Sequence, residues 1–181
     1  MIYVFFAQGF EEIEGLTVVD VLRRAELETV MVGVGSKTIT GSHGITIQCD
    51  VTAEQVHPAA DLQMVVLPGG MPGTLNLEKD KTVQDMLDYC VAQGKYIGAI
   101  CAAPSILGHK HLLESKQAIC FPGFEQELYG AAVSGEYVCV DGKIITAKGM
   151  GVATDFSLEL VGCLLGDEKK NNLRASLQCR G

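Results

Sequence analysis

Cys101 stands where an apolar segment ends and a new segment begins. Residues 96–100 predict a short buried strand, and residues 102–107 predict the start of a helix, which tolerates Pro104 in its first turn. A side chain at such a sharp strand-to-helix turn has the geometry of a nucleophile elbow, and the helix N-terminus favours a thiolate. The pattern therefore indicates a reactive thiol at Cys101. The alternative is a small buried side chain that only packs.

Two other predicted strands end in groups that could act with this thiol. They are Glu11, Glu12 and Glu14 after the first strand, and Gly69 and Gly70 after the third. In a parallel sheet the carboxyl ends of the strands meet at one edge, where ligands bind. A buried carboxyl can stay protonated and donate to a thiolate, while glycine N–H groups and that of Ala102 can hold an oxyanion. The alternatives are a solvated acidic loop and a simple glycine turn.

No histidine stands where it would activate Cys101. His43 and His57 lie far upstream, in a predicted hairpin and a turn. His109 and His111 follow the cysteine by eight and ten residues, which is about 12–15 Å along a continuing helix. A histidine-assisted protease or glutaminase is therefore disfavoured, and a mechanism with cysteine and glutamate alone fits better.

The composition limits the partners and the compartment. The net charge of −8 argues against nucleic acid or an anionic membrane surface. No uncharged apolar stretch reaches the roughly 18 residues that span a membrane, and no basic residue precedes Arg23, so we expect no signal peptide. Seven cysteines without a C-x-x-C pair indicate reduced thiols, and hence a cytoplasmic protein. No phosphate-binding glycine motif and no metal-ligand spacing are present, so we predict neither cofactor nor metal.

Strands alternate with helices over the first two thirds of the chain, which predicts an α/β fold with a mostly parallel sheet and helices on both faces. The predicted strands are 2–7, 28–34, 62–67, 96–100 and 117–120, with hairpins at 37–48 and 136–147, and the predicted helices are 16–25, 80–93, 102–107, 125–129, 152–165 and 167–177. Residues 8–15 and 68–73 are predicted loops. We expect one domain over residues 1–181, with residues 167–181 as a terminal helix and tail.

Five motifs together resemble the ThiJ/PfpI superfamily, in the branch of the Parkinson-disease-linked protein deglycase and the bacterial YajL-type proteins. They lie at residues 11–14, 19–24, 65–70, 99–104 and 155–156. The resemblance implies a flavodoxin-like three-layer sandwich and a homodimer. It also implies that Cys101 is an easily oxidised thiol and that Glu14 is a protonated glutamate in contact with it. By motif position, Gly69, Gly70 and Ala102 correspond to the backbone donors around the thiol.

The chain departs from the family pattern at the edge of the expected pocket. Phe121 replaces a histidine, Met150 replaces a proline between two glycines, and Ala103 replaces a glycine next to the elbow. Phe121 and Met150 are therefore candidate pocket residues, and histidine-dependent proton transfer is in doubt. His43 occupies a position where relatives can carry an arginine that reaches towards the partner subunit, and we expect it to face solvent.

The resemblance implies a cofactor-free glyoxalase or deglycase that acts on small reactive carbonyls. Its substrates would be 2-oxoaldehydes such as methylglyoxal and glyoxal, or their early adducts, with Cys101 and Glu14 as the catalytic pair. The first alternative is an oxidative-stress sensor or redox-regulated chaperone in which Cys101 is oxidised to sulfinic acid. A role in thiazole biosynthesis is a further alternative, although no nucleotide motif supports it.

Overall fold

The central strands of the sheet are continuous apolar runs, as a parallel sheet covered on both faces requires. A computed structural model describes residues 1–179. Its main sheet contains β1 (Ile2–Phe6), β2 (Thr29–Gly33), β5 (Val51–Thr52), β6 (Met64–Leu67), β7 (Tyr96–Ile100), β10 (Val138–Asp141) and β11 (Ile144–Ala147). The strand order is β10-β11-β7-β6-β1-β2-β5, and every neighbouring pair is parallel except β10 and β11.

Two small sheets and six helices complete the described chain. The small sheets pair β3 (Thr38–Thr40) with β4 (Thr46–Gln48) and β8 (Gln117–Ala118) with β9 (Ala132–Val133). The helices are α1 (Glu12–Arg24), α2 (Gly73–Lys79), α3 (Lys81–Ala92), α4 (Pro104–His109), α5 (Ala153–Leu165) and α6 (Asp167–Ser176). Single 3-10 turns lie at Ala53–Gln55, Glu125–Glu127 and Met150–Val152.

Alternating side chains of β1 divide the core into two layers. Ile2, Val4 and Phe6 pack in the cluster that contains residues of α1, α5 and α6. Tyr3 and Phe5 pack on the other face with residues of α2, α3 and α4. Each fully buried large apolar side chain contributes about 1.5–3 kcal/mol to the free energy of folding. The predicted flavodoxin-like three-layer α/β fold is confirmed.

Most predicted elements are confirmed, including both hairpins, but the regions around the loops differ. Helix α1 begins at Glu12, inside the predicted loop 8–15, because the Glu11 side chain caps the helix by accepting the Glu14 N–H at 2.8 Å. Helix α2 was not predicted, since it begins at Gly73 within a run rich in glycine and proline. Asp80 ends α2 and caps α3 through the Val83 N–H at 3.0 Å.

Three further predictions are corrected at the edges of the fold. The helix expected at 102–107 begins at Pro104, so two turn residues separate it from Cys101. The helix expected at 125–129 is a single 3-10 turn, and the strand expected at 117–120 is the two-residue β8. Residues 180 and 181 of the predicted tail lie outside the described residues.

Candidate active site

Three neighbouring strands of the main sheet end at one edge and bring the predicted groups together. β1 pairs with β6, and β6 pairs with β7, all in parallel. Their carboxyl ends lead to α1 with Glu14, to Gly69 and Gly70, and to Cys101. The sequence-based prediction that these three strand ends are neighbours is confirmed. The site is therefore assembled by the order of the strands and by the first turn of α1.

Cys101 occupies a strained turn that holds its side chain in one place. Its φ is 65°, a left-handed conformation that non-glycine residues rarely adopt. The Cys101 N–H donates to the Ala147 carbonyl at 2.9 Å, and the Cys101 carbonyl accepts the Phe121 N–H at 2.8 Å. The residue is 7% exposed, so only a small part of it is open to a reagent. Backbone hydrogen bonds to two other segments hold Cys101 in this strained conformation, as is typical of a nucleophile elbow.

Glu14 is fully buried beside Cys101 with only part of its carboxyl engaged. Its Oε2 accepts the Gly69 N–H at 2.9 Å. Its Oε1 has no partner of standard hydrogen-bond geometry among residues 1–179, although the Cys101 side chain and the Met150 N–H lie close enough to the carboxyl to lower its pKa. A protonated carboxyl explains the free Oε1, since its O–H can donate towards the sulfur.

Glycine is required at position 69 because the two functional side chains converge there. A Cβ on Gly69 would lie 2.7 Å from the Cys101 Cβ and 2.8 Å from Glu14 Oε2. Both distances are shorter than real contacts, so a side chain would push the thiol and the carboxyl apart. Gly69 thus allows the pair to approach.

The thiol and the carboxyl form one coupled acid–base pair. Burial raises the pKa of Glu14 to about 7. Burial, the charge of an ionised Glu14 and its hydrogen bond raise the pKa of the Cys101 thiol to about 12, whereas the N–H groups of Ala102 and Gly70 lower it. The two contributions from Glu14 require a carboxylate; when Glu14 holds the proton, its O–H stabilises a thiolate instead.

The helix N-terminus was expected to favour a thiolate at Cys101, whereas in the structure burial and Glu14 raise the pKa of this thiol. Burial and Glu14 raise the pKa more than the N–H groups of Ala102 and Gly70 lower it, and the six-residue α4 begins only three residues after the cysteine. A thiolate at Cys101 instead depends on Glu14 as the proton holder.

Two of the three predicted backbone donors face the sulfur. The N–H groups of Gly70 and Ala102 point at the Cys101 side chain and favour its anionic form. The N–H of Gly69 donates to Glu14 instead, so it positions the carboxyl. Gly70 has a φ of 92°, and a Cβ there would lie 2.3 Å from the Glu11 nitrogen, so its N–H can reach the site only because the residue is glycine.

A cavity of about 310 Å³ opens next to the pair. It is lined by Phe121, Pro122, Tyr137 and residues 148–152. A Cβ on Gly149 would lie 3.1 Å from the Phe121 ring and 3.9 Å from Glu14 Oε1, so the Gly149 backbone in the cavity wall adjoins the carboxyl. Phe121 and Met150 thus lie at the pocket, as expected. Tyr137 and Lys148 were missed, because only the fold brings the hairpin ends to this edge, where the Lys148 N–H donates to the Tyr137 carbonyl at 2.9 Å.

His43 lies at a neighbouring acidic cluster, and its hydrogen bonds within residues 1–179 do not involve Cys101 or Glu14. Its Nδ1 is 3.0 Å from Glu12 Oε2, and its backbone N–H donates to Glu12 Oε1 at 2.7 Å. The imidazole is exposed, as predicted, whereas Glu11 and Glu12 are buried and not solvated as the loop alternative assumed. Burial opposes ionisation of Glu12, but hydrogen bonds from His43 and Ile45 lower its pKa to about 2.

This cluster also places three potential metal-ligand atoms close together, which the spacing in the sequence did not indicate. Atoms of Glu11, Glu12 and His43 lie within 4.8 Å of one another. The Glu11 carboxylate caps α1 and the Glu12 carboxylate accepts bonds from His43 and Ile45. Hydrogen bonds within the chain therefore satisfy both carboxylates without a metal ion.

The histidine nearest to Cys101 in sequence is occupied elsewhere. The two ring nitrogens of His109 contact Glu78 and Glu127, one on each side. This arrangement agrees with the inference that no histidine serves as the base for Cys101.

The comparisons with known proteins agree with this geometry. The profile of the DJ-1/PfpI family matches residues 1–162. Arabidopsis thaliana protein DJ-1 homolog B is 34% identical over 96% of this chain. The Caenorhabditis elegans protein named glutathione-independent glyoxalase DJR-1.2 is 31% identical over 90% of this chain and 87% of its own length. The structure of oxidized Toxoplasma gondii DJ-1 superposes with a TM-score of 0.90, at 30% identity, over 98% of this chain and 97% of the other.

The match is a partial one for the plant relatives. The chain spans 40% of the length of Arabidopsis homolog B and 45% of that of homolog A. In addition, no helix within residues 1–179 is both long enough and apolar enough to cross a membrane.

Proposed function

The chain belongs to the DJ-1/PfpI family, and we propose that it is a cofactor-free glyoxalase or deglycase that acts on 2-oxoaldehydes or their early adducts. One observation carries the proposal: a fully buried carboxyl, with its pKa raised to about 7, lies against a cysteine held in an elbow. A group with a pKa near the working pH can both give and take a proton during turnover. The relative named as a glutathione-independent glyoxalase supports the same reaction.

The geometry suggests a sequence of steps in which Glu14 moves each proton. The Cys101 sulfur adds to the aldehyde carbon, and Glu14 gives its proton to the aldehyde oxygen, which yields a hemithioacetal. Glu14, now a carboxylate, removes the hydrogen from that carbon and returns it to the neighbouring carbonyl carbon, while the hydroxyl proton of the hemithioacetal passes to the former ketone oxygen, which leaves a thioester. The Gly70 and Ala102 N–H groups stabilise the negative oxygen that develops near the sulfur. Water then releases a hydroxy acid and restores the thiol.

The test is lactate formation from methylglyoxal by purified, reduced protein without glutathione or added metal. We expect turnover in the wild type and its loss in Cys101→Ser. We expect a loss of about 100-fold or more in Glu14→Gln, since acid–base catalysis typically contributes 100- to 10,000-fold. An inactive wild type with a titratable Cys101 thiol would contradict the proposal.

A second candidate function is a sensor of oxidants or a redox-regulated chaperone. The solved Toxoplasma relative is described as oxidized, and the Gly70 and Ala102 N–H groups can also bind an oxygen on the sulfur. Two equivalents of peroxide would convert the thiol into a sulfinic acid and release two waters. Stoichiometric oxidation at Cys101 by mass spectrometry, with no turnover of any 2-oxoaldehyde, would favour this function over the enzyme.

We also propose a homodimer and a cytoplasmic location. Ile13 on α1 and Ile45 at the β4 hairpin are each more than half exposed, and the Glu12 carboxylate next to Ile13 accepts the Ile45 N–H. Two neighbouring exposed isoleucines are suited to a contact with a second copy of the chain. Sedimentation equilibrium of the wild type and of Ile13→Asp tests the dimer, since a monomeric wild type would contradict it.

The seven free cysteines support a reducing compartment.

A further inference from the structure

The cavity beside Glu14 has walls that are almost entirely apolar. Phe121, Pro122, Tyr137, Met150 and Val152 line it together with glycine backbone. Phe121 and Met150 are 38% and 37% exposed, and they line the same cavity, so their apolar surfaces form one patch open to a ligand. The volume of about 310 Å³ is ample for a ring, since a cavity of about 150 Å³ holds benzene.

The charges around this cavity are few. Lys148 is the one charged residue among those that line it in the described chain. Its Nζ lies 5.0 Å from the centre of the Tyr137 ring, so the ammonium already has a cation–π partner. The walls therefore offer a ligand apolar contact far more than charge recognition.

The cavity and the reactive pair share backbone and close contacts. The Phe121 N–H donates to the carbonyl of Cys101, and Gly149 adjoins both the Phe121 ring and the Glu14 carboxyl. The Met150 N–H faces the same carboxyl. A 2-oxoaldehyde whose aldehyde carbon sits at the sulfur would thus place its other substituent between Phe121 and Met150.

We propose that this chain prefers 2-oxoaldehydes whose ketone carries an apolar, ring-sized group, and that Phe121 and Met150 determine this specificity. The inference rests on the proposed function and names its substrate class. The reaction converts an aryl-2-oxoaldehyde and one water into the aryl hydroxy acid: the aldehyde carbon is oxidised to a carboxylic acid, and the ketone carbon is reduced to an alcohol. No redox partner is needed, because the two changes occur within one molecule.

The experiment compares kcat/KM for phenylglyoxal, methylglyoxal and glyoxal. We expect kcat/KM for phenylglyoxal to exceed that for methylglyoxal by about tenfold or more, mainly through a lower KM. Even one methylene group in an apolar pocket changes kcat/KM by about 10- to 200-fold. Phe121→His and Met150→Ser are each expected to reduce the phenylglyoxal-to-methylglyoxal ratio by about tenfold. Two independent variants at exposed positions keep the test valid if one misfolds. Val91→His, at an exposed site on α3 outside the cavity lining, is the matched control and should leave the ratio unchanged.

Each outcome decides a separate question. Turnover of all three aldehydes with a ratio near one, or a ratio that neither variant changes, would overturn the specificity and leave the proposed function standing. A wild type that converts none of the three aldehydes would overturn the proposed function itself, and the specificity with it. A ratio that falls in both variants but not in Val91→His would support the inference.

Discussion

Glu12 and Glu14 lie two residues apart in the first turn of α1, both are buried, and yet their carboxyls differ by about five units of pKa. The pKa of Glu12 is about 2 and that of Glu14 is about 7. Glu12 accepts hydrogen bonds from His43 and Ile45, which favour the charged form. Glu14 accepts the Gly69 N–H and has one free oxygen. Depth of burial and the donors that face a carboxyl thus decide together whether it is ionised: Glu14 is desolvated more deeply, whereas Glu12 lies beside an exposed imidazole that donates to it.

The two carboxyls therefore have different roles, since Glu12 stabilises the fold and Glu14 serves acid–base chemistry. Glu12 ties the hairpin of β3 and β4 to the start of α1 and needs its charge to do so. Glu14 accepts the Gly69 N–H, lies close to the Met150 N–H, and keeps a proton that it can exchange with Cys101. The first turn of one helix therefore supplies both the anchor of the site and its acid–base group.

The largest expected effect is on turnover. Glu14→Gln should reduce methylglyoxal turnover by 100- to 10,000-fold, whereas Glu12→Gln should stay within about tenfold of the wild type, because only Glu14 exchanges protons with the substrate. Lactate formation at neutral pH measures both variants. Equal losses in the two would break the distinction between the carboxyls.

The second effect is a pH dependence of stability. In a Cys101→Ser background Glu14 titrates without a thiol beside it. The pKa of Glu14 is about 7 in the folded wild type, and burial, its main cause, is kept in Cys101→Ser. In an unfolded chain the pKa is about 4.3, so the unfolded state loses the proton first and the folded state is destabilised as the pH rises. Between about pH 5 and pH 8, the free energy of unfolding of Cys101→Ser should fall by about 3 kcal/mol relative to Cys101→Ser/Glu14→Gln. Urea unfolding of both variants measures this. If the unfolding free energies of the two variants changed with pH in the same way, Glu14 would be ionised over this whole pH range in the folded protein.

The third effect is a pH dependence of the stabilisation by Glu12, and it runs in the opposite direction to that of Glu14. The folded pKa of Glu12 is below its unfolded value, so its contribution is present above about pH 4.3 and is lost as the pH falls towards 2. Glu12→Ala should cost about 2 kcal/mol of unfolding free energy at neutral pH, since it removes hydrogen bonds to a charged group. Glu12→Gln, which keeps an acceptor oxygen, should cost less. A loss in Glu12→Ala that grows below pH 4 would contradict this account.

The smallest effect is expected at His43. Its ring is exposed, and Glu12 keeps the backbone N–H bonds when the ring is removed. The hydrogen bond and the charge of Glu12 raise the pKa of His43, so the stabilisation is full below its unfolded pKa of about 6.5 and disappears at higher pH. Denaturant midpoints of His43→Ala and wild type should therefore differ at about pH 6 and converge at about pH 8.5. A loss as large as that of Glu12→Ala would show that the ring itself anchors the hairpin.

The sequence was enough to predict the α/β fold and the meeting of Cys101, Glu14 and Gly70. Continuous apolar strands and a cysteine at a strand-to-helix turn are local signals, and a parallel sheet places strand ends at one edge. The family motifs then singled out Glu14 from the three glutamates. Helix α2 was missed because a glycine- and proline-rich run is a turn signal even where a helix begins inside it.

What the sequence could not provide are contacts between distant segments. Glu12 is ionised through N–H groups that lie about thirty residues later in the hairpin. Tyr137 and Lys148 reach the cavity from the far ends of the β10–β11 hairpin. The pKa of Cys101 was misjudged for the same reason, since the depth of burial follows from the packed fold and not from the helix start.

The most direct test is a pH titration of the carboxyl resonances of the protein labelled with ¹³C-glutamate, with assignments from Glu14→Gln and Glu12→Gln. We expect that Glu14 keeps its proton at pH 6 and titrates with an apparent pKa near 7, while Glu12 is still ionised at pH 4. A Glu14 resonance that titrates near 4.3, as in an unfolded chain, would contradict the central claim that Glu14 holds the proton for Cys101.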